Sequence, residues 1–484
     1  MRRPWSHLTP DRRQWWAWLG AIMAVGLAIR VAFVLFVQSG ITQLQGDAGW
    51  YHFQARLVSE GKGFLNPIYY FGNGESVPGA DHPPGFVLIL AALDTIGIDS
   101  PQGQRLVMCL VGTVSILVIG LLGRRLASPR VGLIAAALAA VYPNIWINDG
   151  MLLTETVFIL ATAVSLLYCY RYLERPGLDA VAIISVALTV AAMVRPEATL
   201  LFVLLLTPLV LTRRSIGWSR RILQLGVAAL IPLISFAPWV LYNLDRFEEP
   251  VLISSGLGQT LLVGNCDLTY TGMNLGFWDF NCLGEPVDLA TTPGGISALD
   301  GEYRRAALEY MSNNQSRLPK VAAARVGRLW GVYRSGQSVF LDGVIEGRAG
   351  GTGNQNLQIA REALWSYYVL GAAGMLGLVL LIRRRVTVLP LLAQALMITV
   401  IAALTFGLTR YRAGFEVSIV VLAAVGLSWL YTRVGGPPDE TVRGPIGTAV
   451  APAGTPADDA PPADEPSVDD ERSADGTSDV GART

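Results

Sequence analysis

The chain has 484 residues, of which 52% are hydrophobic and only 15% charged, against roughly 25% charged residues in an average soluble domain. This excludes a disordered or nucleic-acid-binding chain, since both need charge and little apolar content, and it argues against an ordinary soluble enzyme, which could not cover so much apolar surface. The formal net charge of zero hides two opposed parts, −8 over residues 437–484 and +8 over the rest.

The first fifteen residues carry Arg2, Arg3, Arg12 and Arg13, which mark a cytoplasmic N-terminus. Ten apolar runs follow, at about 16–37, 106–123, 132–147, 155–172, 179–194, 198–211, 222–241, 364–382, 386–408 and 415–431. A bilayer crossing needs about 20 such residues. With ten spans, the short basic clusters Arg124-Arg125, Arg130, Arg171, Arg175, Arg213-Arg214, Arg220-Arg221, Arg383-Arg384-Arg385 and Arg433 all fall on the cytoplasmic side. That is the positive-inside pattern. The expected architecture is an all-α polytopic membrane protein of about ten transmembrane helices. It divides into a cytoplasmic N-terminus (1–15), an N-terminal membrane module (16–241) with an outer loop (38–105), an extracytoplasmic loop domain of small mixed structure (242–363), and C-terminal spans (364–431). Residues 432–484, rich in Pro, Ala, Gly and Asp, are expected to form a disordered acidic cytoplasmic tail.

In the first outer loop, Gly46-Asp47 leads to Tyr51-His52 and an amphipathic stretch over 50–58. Asp81-His82-Pro83-Pro84-Gly85 then opens a short apolar run to Ile96. Both stretches read as interfacial helices. The junction of the third and fourth spans carries Asp149 and Thr154-Glu155; that of the fifth and sixth, Arg195-Pro196-Glu197; that of the last two, Arg410-Tyr411-Arg412. Asp47, Glu155, Arg195 and Arg410 therefore reach one membrane level from distant parts of the chain. A carboxylate there can deprotonate a hydroxyl, while arginines can hold a phosphate and stabilise it as a leaving group. The plainer readings are helix caps for Asp47, Glu155 and Glu197, headgroup anchors for the arginines, and a turn residue for His82.

Cys266 and Cys282 lie in the second outer loop, where the compartment is oxidising, and are expected to form a disulfide. Cys109 and Cys169 fall inside spans as apolar fillers. The stretch 318–333 reads as an amphipathic helix with Arg325 and Arg328 as candidate contacts for a headgroup or donor phosphate.

Taken in order over residues 16–431, Gly46-Asp47, Tyr51-His52, His82-Pro83-Pro84-Gly85, Leu153-Thr154-Glu155, Pro238-Trp239…Asn243 and Arg410-Tyr411-Arg412 resemble the GT-C superfamily of membrane glycosyltransferases. The likeness is to the bacterial branch similar to protein O-mannosyltransferases and aminoarabinose transferases. The resemblance implies a GT-C-like fold and transfer of a sugar from a polyprenyl-phosphate donor, with inversion, to a glycan, lipid or protein hydroxyl at the outer face of the membrane. It implies Asp47 as the catalytic base and Glu155 as the second acid. Asp81, His82, Arg195, Arg410, Tyr411, His52 and Tyr51 would surround the donor. The chain departs from the pattern in three ways: Asp47 lacks an adjacent acid, no Asp-x-Asp motif follows, and Ala413-Gly414 replaces the usual proline after the tyrosine motif. No cofactor is demanded, and a divalent cation is left open. Competing readings are a flippase or transporter for a polyprenyl-linked sugar, or a non-catalytic envelope-assembly protein.

Overall fold

Prolines and serines set where many of the helices begin. Pro67, Pro84, Pro101, Pro129 and Pro143 each sit in a first turn, where the missing N–H costs nothing. Ser100 and Ser128 accept from the amides of Gly103 and Val131, both at 3.2 Å, and so cap the helices that follow. The computed structural model describes residues 12–38, 44, 46–285, 287, 294–341 and 354–437. Most of the expected acidic tail, from residue 438, lies outside the described residues, as do Arg2 and Arg3.

Among the described residues the fold is helical, with no strand. The first helix is α1 (Arg12–Ala32), and the loop after it holds α2 (Gly46–Ser59), α3 (Pro67–Asn73) and α4 (Pro84–Thr95). Then come α5 (Pro101–Leu126), α6 (Pro129–Val141), α7 (Pro143–Trp146), α8 (Glu155–Glu174), α9 (Leu178–Val194), α10 (Thr207–Leu211) and α11 (Trp218–Arg246). The second large loop holds α12 (Leu257–Gly264), α13 (Asp267–Tyr270), α14 (Gly295–Asn313), α15 (Leu318–Leu329) and α16 (Ser335–Phe340). It is helix and irregular chain among its described residues, in place of the mixed structure expected. The chain closes with α17 (Asn354–Arg383), α18 (Leu389–Leu404) and α19 (Ala413–Arg433).

Among the described residues, six helices are long and apolar enough to cross a membrane, Arg13–Val37, Pro101–Leu126, Glu155–Glu174, Trp218–Arg246, Leu357–Arg383 and Thr409–Arg433. The protein is a multi-pass membrane protein. The third expected span is a pair of helices bent by 64°, broken where Tyr142 leaves the helical region before Pro143. The fifth, sixth and ninth expected spans are shorter apolar helices. α18 ends at Leu404, so residues 405–408, expected inside the ninth span, are irregular.

α8 and α19 lie at the centre, while α1, α11 and α17 turn most of their surface outward. α17 and α19 touch through glycines. A Cβ on Gly377 would meet the Leu422 carbonyl oxygen at 1.9 Å, and one on Gly426 would meet that of Ala373 at 2.2 Å. Such small-residue contacts let membrane helices approach closely. Arg30, the charge stranded in the first span, pairs with Asp149 at 2.6 Å and donates to the carbonyls of Gly26, Ala139 and Ala140. Asp149 is thereby drawn into the helix packing. The small face of Gly112 leaves room for its carboxylate.

Candidate active site

The first acid enters on a turn that only glycine accepts readily. Gly46 has φ +55°, in the left-handed region, and Asp47 follows in the first turn of α2. One turn on, Tyr51 faces inward and packs its ring on Phe86 of α4 at 5.1 Å and on His82 at 4.7 Å. The glycine of His82-Pro83-Pro84-Gly85 has a packing reason. A Cβ there would lie 2.7 Å from the Met193 carbonyl oxygen. Gly85 thus seats the start of α4 against the end of α9, two residues before Arg195. Gly85→Val should overpack this contact at a cost of ~1–3 kcal/mol. A melting temperature for the purified variant equal to that of the native protein would show that the contact is not tight.

Arg195 leaves α9 in an extended conformation ahead of Pro196, as a residue before proline prefers. Its Nη1 donates to Glu155 Oε1 at 2.9 Å and its Nε to Glu197 Oε1 at 2.7 Å. Its guanidinium lies over the rings of Tyr411 and Phe158, at 5.3 Å and 5.6 Å. Arg410, in the one-turn helix Thr409–Arg412, joins the two acids. Its Nε donates to Glu155 and its Nη1 lies 2.8 Å from Asp47 Oδ2. His82 Nε2 lies 3.8 Å from Asp47 Oδ1. Asp47, His82, Glu155, Arg195, Glu197, Arg410 and Tyr411, drawn from four separate parts of the chain, therefore form one cluster.

Exposure separates the two acids. Glu155 is fully buried, whereas the Asp47 side chain keeps 38% of its surface open. Thr154 makes no capping hydrogen bond to the amides of α8, so Glu155 is placed by its arginines. Burial alone would raise the Asp47 pKa, but the charges of Arg410 and His82 and the Arg410 hydrogen bond outweigh it and hold the carboxyl at about 2. Burial lowers the His82 pKa despite Asp47, and the two arginines add to that effect.

Asp81 behaves in the opposite way. Burial, aided by Asp300 and opposed by its own backbone amide, lifts it to about 7 from an ordinary 3.8. One of its carboxylate oxygens is buried without a hydrogen-bond partner. Between those pH values the native state holds a proton that the unfolded chain has lost, so stability falls as pH rises from about 4 to about 7. The melting temperature of the wild type should fall more steeply over this range than that of Asp81→Asn. Parallel slopes would remove Asp81 as the responsible group.

Three expected contacts lie elsewhere. His52 turns to Gln104 (2.9 Å), which donates to Asp94 at 2.6 Å, and so belongs to the α2–α5 packing. Arg325 and Arg328 are buried and donate to backbone carbonyls, Arg325 to those of Gly264, Ala403 and Leu404 and Arg328 to those of Met273 and Leu275. α15 turns both side chains into the protein interior.

Two features escaped the sequence reading. The indole N–H of Trp50 is buried without a partner, with its ring 5.9 Å from His82. Glu416 accepts from Arg412 at 3.1 Å and from Tyr142 at 2.7 Å inside the last span. An acid in an apolar run was the available signal for Glu416, whereas nothing local marks Trp50. Cys266 and Cys282 form the expected disulfide. Among the described residues, no group of three or more His, Cys, Asp or Glu side chains is gathered to hold a metal ion.

Residues 81–242 match the family model described as dolichyl-phosphate-mannose-protein mannosyltransferase. The matched stretch carries His82, Glu155, Arg195 and Glu197, and ends at Tyr242. A comparison with curated protein sequences finds no match. Among solved structures, the chain is similar to the apo oligosaccharyltransferase of Archaeoglobus fulgidus, with 14% identity, 86% of this chain and 51% of that chain covered, and a TM-score of 0.47. A structure of the same enzyme with zinc and sulfate gives 15% identity, coverage of 85% and 49%, and a TM-score of 0.44. ArnT from Cupriavidus metallidurans bound to undecaprenyl phosphate gives 16% identity, coverage of 88% and 80%, and a TM-score of 0.38. The chain spans about half the length of the archaeal enzyme.

Proposed function

We propose that this protein is a GT-C-type glycosyltransferase of the membrane. It moves a sugar from a polyprenyl-phosphate donor to a hydroxyl acceptor at the outer face. The observation that carries the reading is the cluster itself, an open carboxylate (Asp47) sharing Arg410 with a buried carboxylate (Glu155) that also holds Arg195. The family model matched over 81–242 supports the donor class.

The geometry suits a direct displacement. Asp47 accepts the proton of the acceptor hydroxyl as that oxygen bonds to the anomeric carbon. The bond from that carbon to the phosphate oxygen breaks on the opposite face, which inverts the configuration, and its electron pair passes to the lipid phosphate. Arg195 and Arg410 stabilise that charge. The carboxylate with a pKa of about 2 is a weak base while Arg410 holds it. A donor phosphate that draws Arg410 toward itself releases Asp47 and raises its basicity, so the base is activated when the donor binds.

Purified protein reconstituted in vesicles with labelled polyprenyl-phosphate sugars and hydroxyl acceptors tests the function. Transfer with inverted anomeric configuration is the expected result. Movement of the labelled lipid between leaflets without transfer would instead identify a flippase.

A further inference from the structure

The segment that delivers Arg410 has no regular structure to hold it. α18 stops at Leu404, residues 405–408 are irregular, and the one-turn helix Thr409–Arg412 follows. Its place depends on what packs against it, and the second loop supplies that packing.

Arg325 of α15, 1% exposed, is the centre of the contact. Its Nη1 donates to the carbonyls of Ala403 at 2.9 Å and Leu404 at 3.3 Å, in the last turn of α18. Those carbonyls have no partner within their helix, and a cation at a helix C-terminus is favoured. Its Nη2 donates to the Gly264 carbonyl at 2.6 Å and to Asn265 Oδ1 at 2.9 Å. One guanidinium therefore ties the end of α18 to residues 264–265.

Closer contacts surround it. The Gly407 amide donates to the Gly276 carbonyl at 2.9 Å. A Cβ on Gly407 would lie 2.1 Å from the Arg325 carbonyl oxygen, and one on Gly264 would lie 2.2 Å from that of Thr405. Phe406 and Leu408 are buried with Val263, Phe277 and Leu341. Arg412 completes the join by donating to the Leu329 carbonyl at 2.6 Å. The residue after Asn265 is Cys266, whose disulfide to Cys282, together with the Asp279 amide on the Val263 carbonyl at 2.9 Å, pins residues 263–266 from the other side.

We propose that Arg325 and the Cys266–Cys282 staple form a positioning device that clamps residues 403–408 and thereby sets Arg410 against the donor phosphate. The inference rests on the phosphate role given to Arg410 above and extends it to the second loop, whose integrity then governs donor affinity. Arg325 is a positioning residue, since both of its Nη groups are committed to backbone carbonyls and to Asn265.

The test uses full-length protein in lipid nanodiscs and labelled undecaprenyl phosphate as the probe. Arg325→Met and the double variant Cys266→Ser/Cys282→Ser are measured alone and combined with Arg410→Ala, with melting temperatures recorded without the probe. Each variant alone should bind the probe roughly 10- to 100-fold more weakly, the scale of a displaced binding group. Combined with Arg410→Ala, neither should weaken binding further, because a device that acts through Arg410 has nothing left to position. General loosening of the fold would instead weaken binding in both backgrounds. Should Arg325→Met fail to fold, the cysteine variant carries the same test. Losses that multiply with that of Arg410→Ala, or native affinity in both variants, would overturn the positioning role and leave the phosphate reading intact. Native affinity in Arg410→Ala alone would overturn both.

Discussion

Asparagine at position 47 is expected to lower sugar transfer by ~10²–10⁴-fold, the usual contribution of a general base. The substitution keeps the shape of the side chain and removes its charge and its ability to take a proton. Asp47 is the open carboxylate of the cluster, with 38% of its side chain exposed, so an acceptor hydroxyl can reach it. The effect should fall on turnover more than on donor binding, because Arg410 loses a competitor for the phosphate when the charge at 47 is gone. Donor affinity in Asp47→Asn should therefore equal or exceed that of the wild type. Transfer by Asp47→Asn at the native rate, measured with purified protein and a labelled polyprenyl-phosphate sugar, would remove Asp47 from the role of base.

The second large effect is on stability. Glu155 is fully buried and takes hydrogen bonds from both Arg195 and Arg410, whose side chains are 9% and 10% exposed. Glu155→Gln leaves two close guanidinium groups without the anion between them. Breaking a buried pair from one side costs ~3–5 kcal/mol. Arg195 keeps Glu197 and Arg410 keeps Asp47, so the loss should sit at the lower end of that range. Thermal unfolding of the variant in detergent, compared with Glu197→Gln, measures it. Glu197 is partly open and, among the described residues, pairs with Arg195 alone, so its removal should cost less. An equal loss from both substitutions would mean that Glu155 is not the centre of the cluster.

The residues that assemble the cluster were legible because charge is rare in this chain. An acid or arginine at the end of an apolar run stands out, and Asp47, Glu155, Arg195 and Arg410 were each found that way. His82 and Gly85 were found as a motif, although the reason for the glycine, the backbone of Met193, belongs to a helix far along the chain. The contacts of Arg325 and Arg328 are not legible in the sequence, for a related cause. An arginine on an amphipathic helix looks the same in sequence whether it faces a lipid phosphate or a helix end. The carbonyls of Ala403 and Leu404 that decide the matter for Arg325 lie about 80 residues away. Tyr51 and His52 show the same limit at shorter range, since adjacent positions on α2 face opposite networks.

Sequence alone determined that this is a helical membrane protein and singled out Asp47, Glu155, Arg195 and Arg410, which the fold brings together. Hydrophobic length and charge placement are local properties, summed along the chain. Tertiary structure decided how those groups are paired. It put Arg30 on Asp149, two arginines on Glu155, and Arg325 on the end of α18. It also decided that, among the described residues, six helices are long enough to span while others are bent or short. The physical reason is that a buried charge must find a counter-charge or hydrogen-bond partner. Which partner is within reach depends on helices that meet only when the chain is folded.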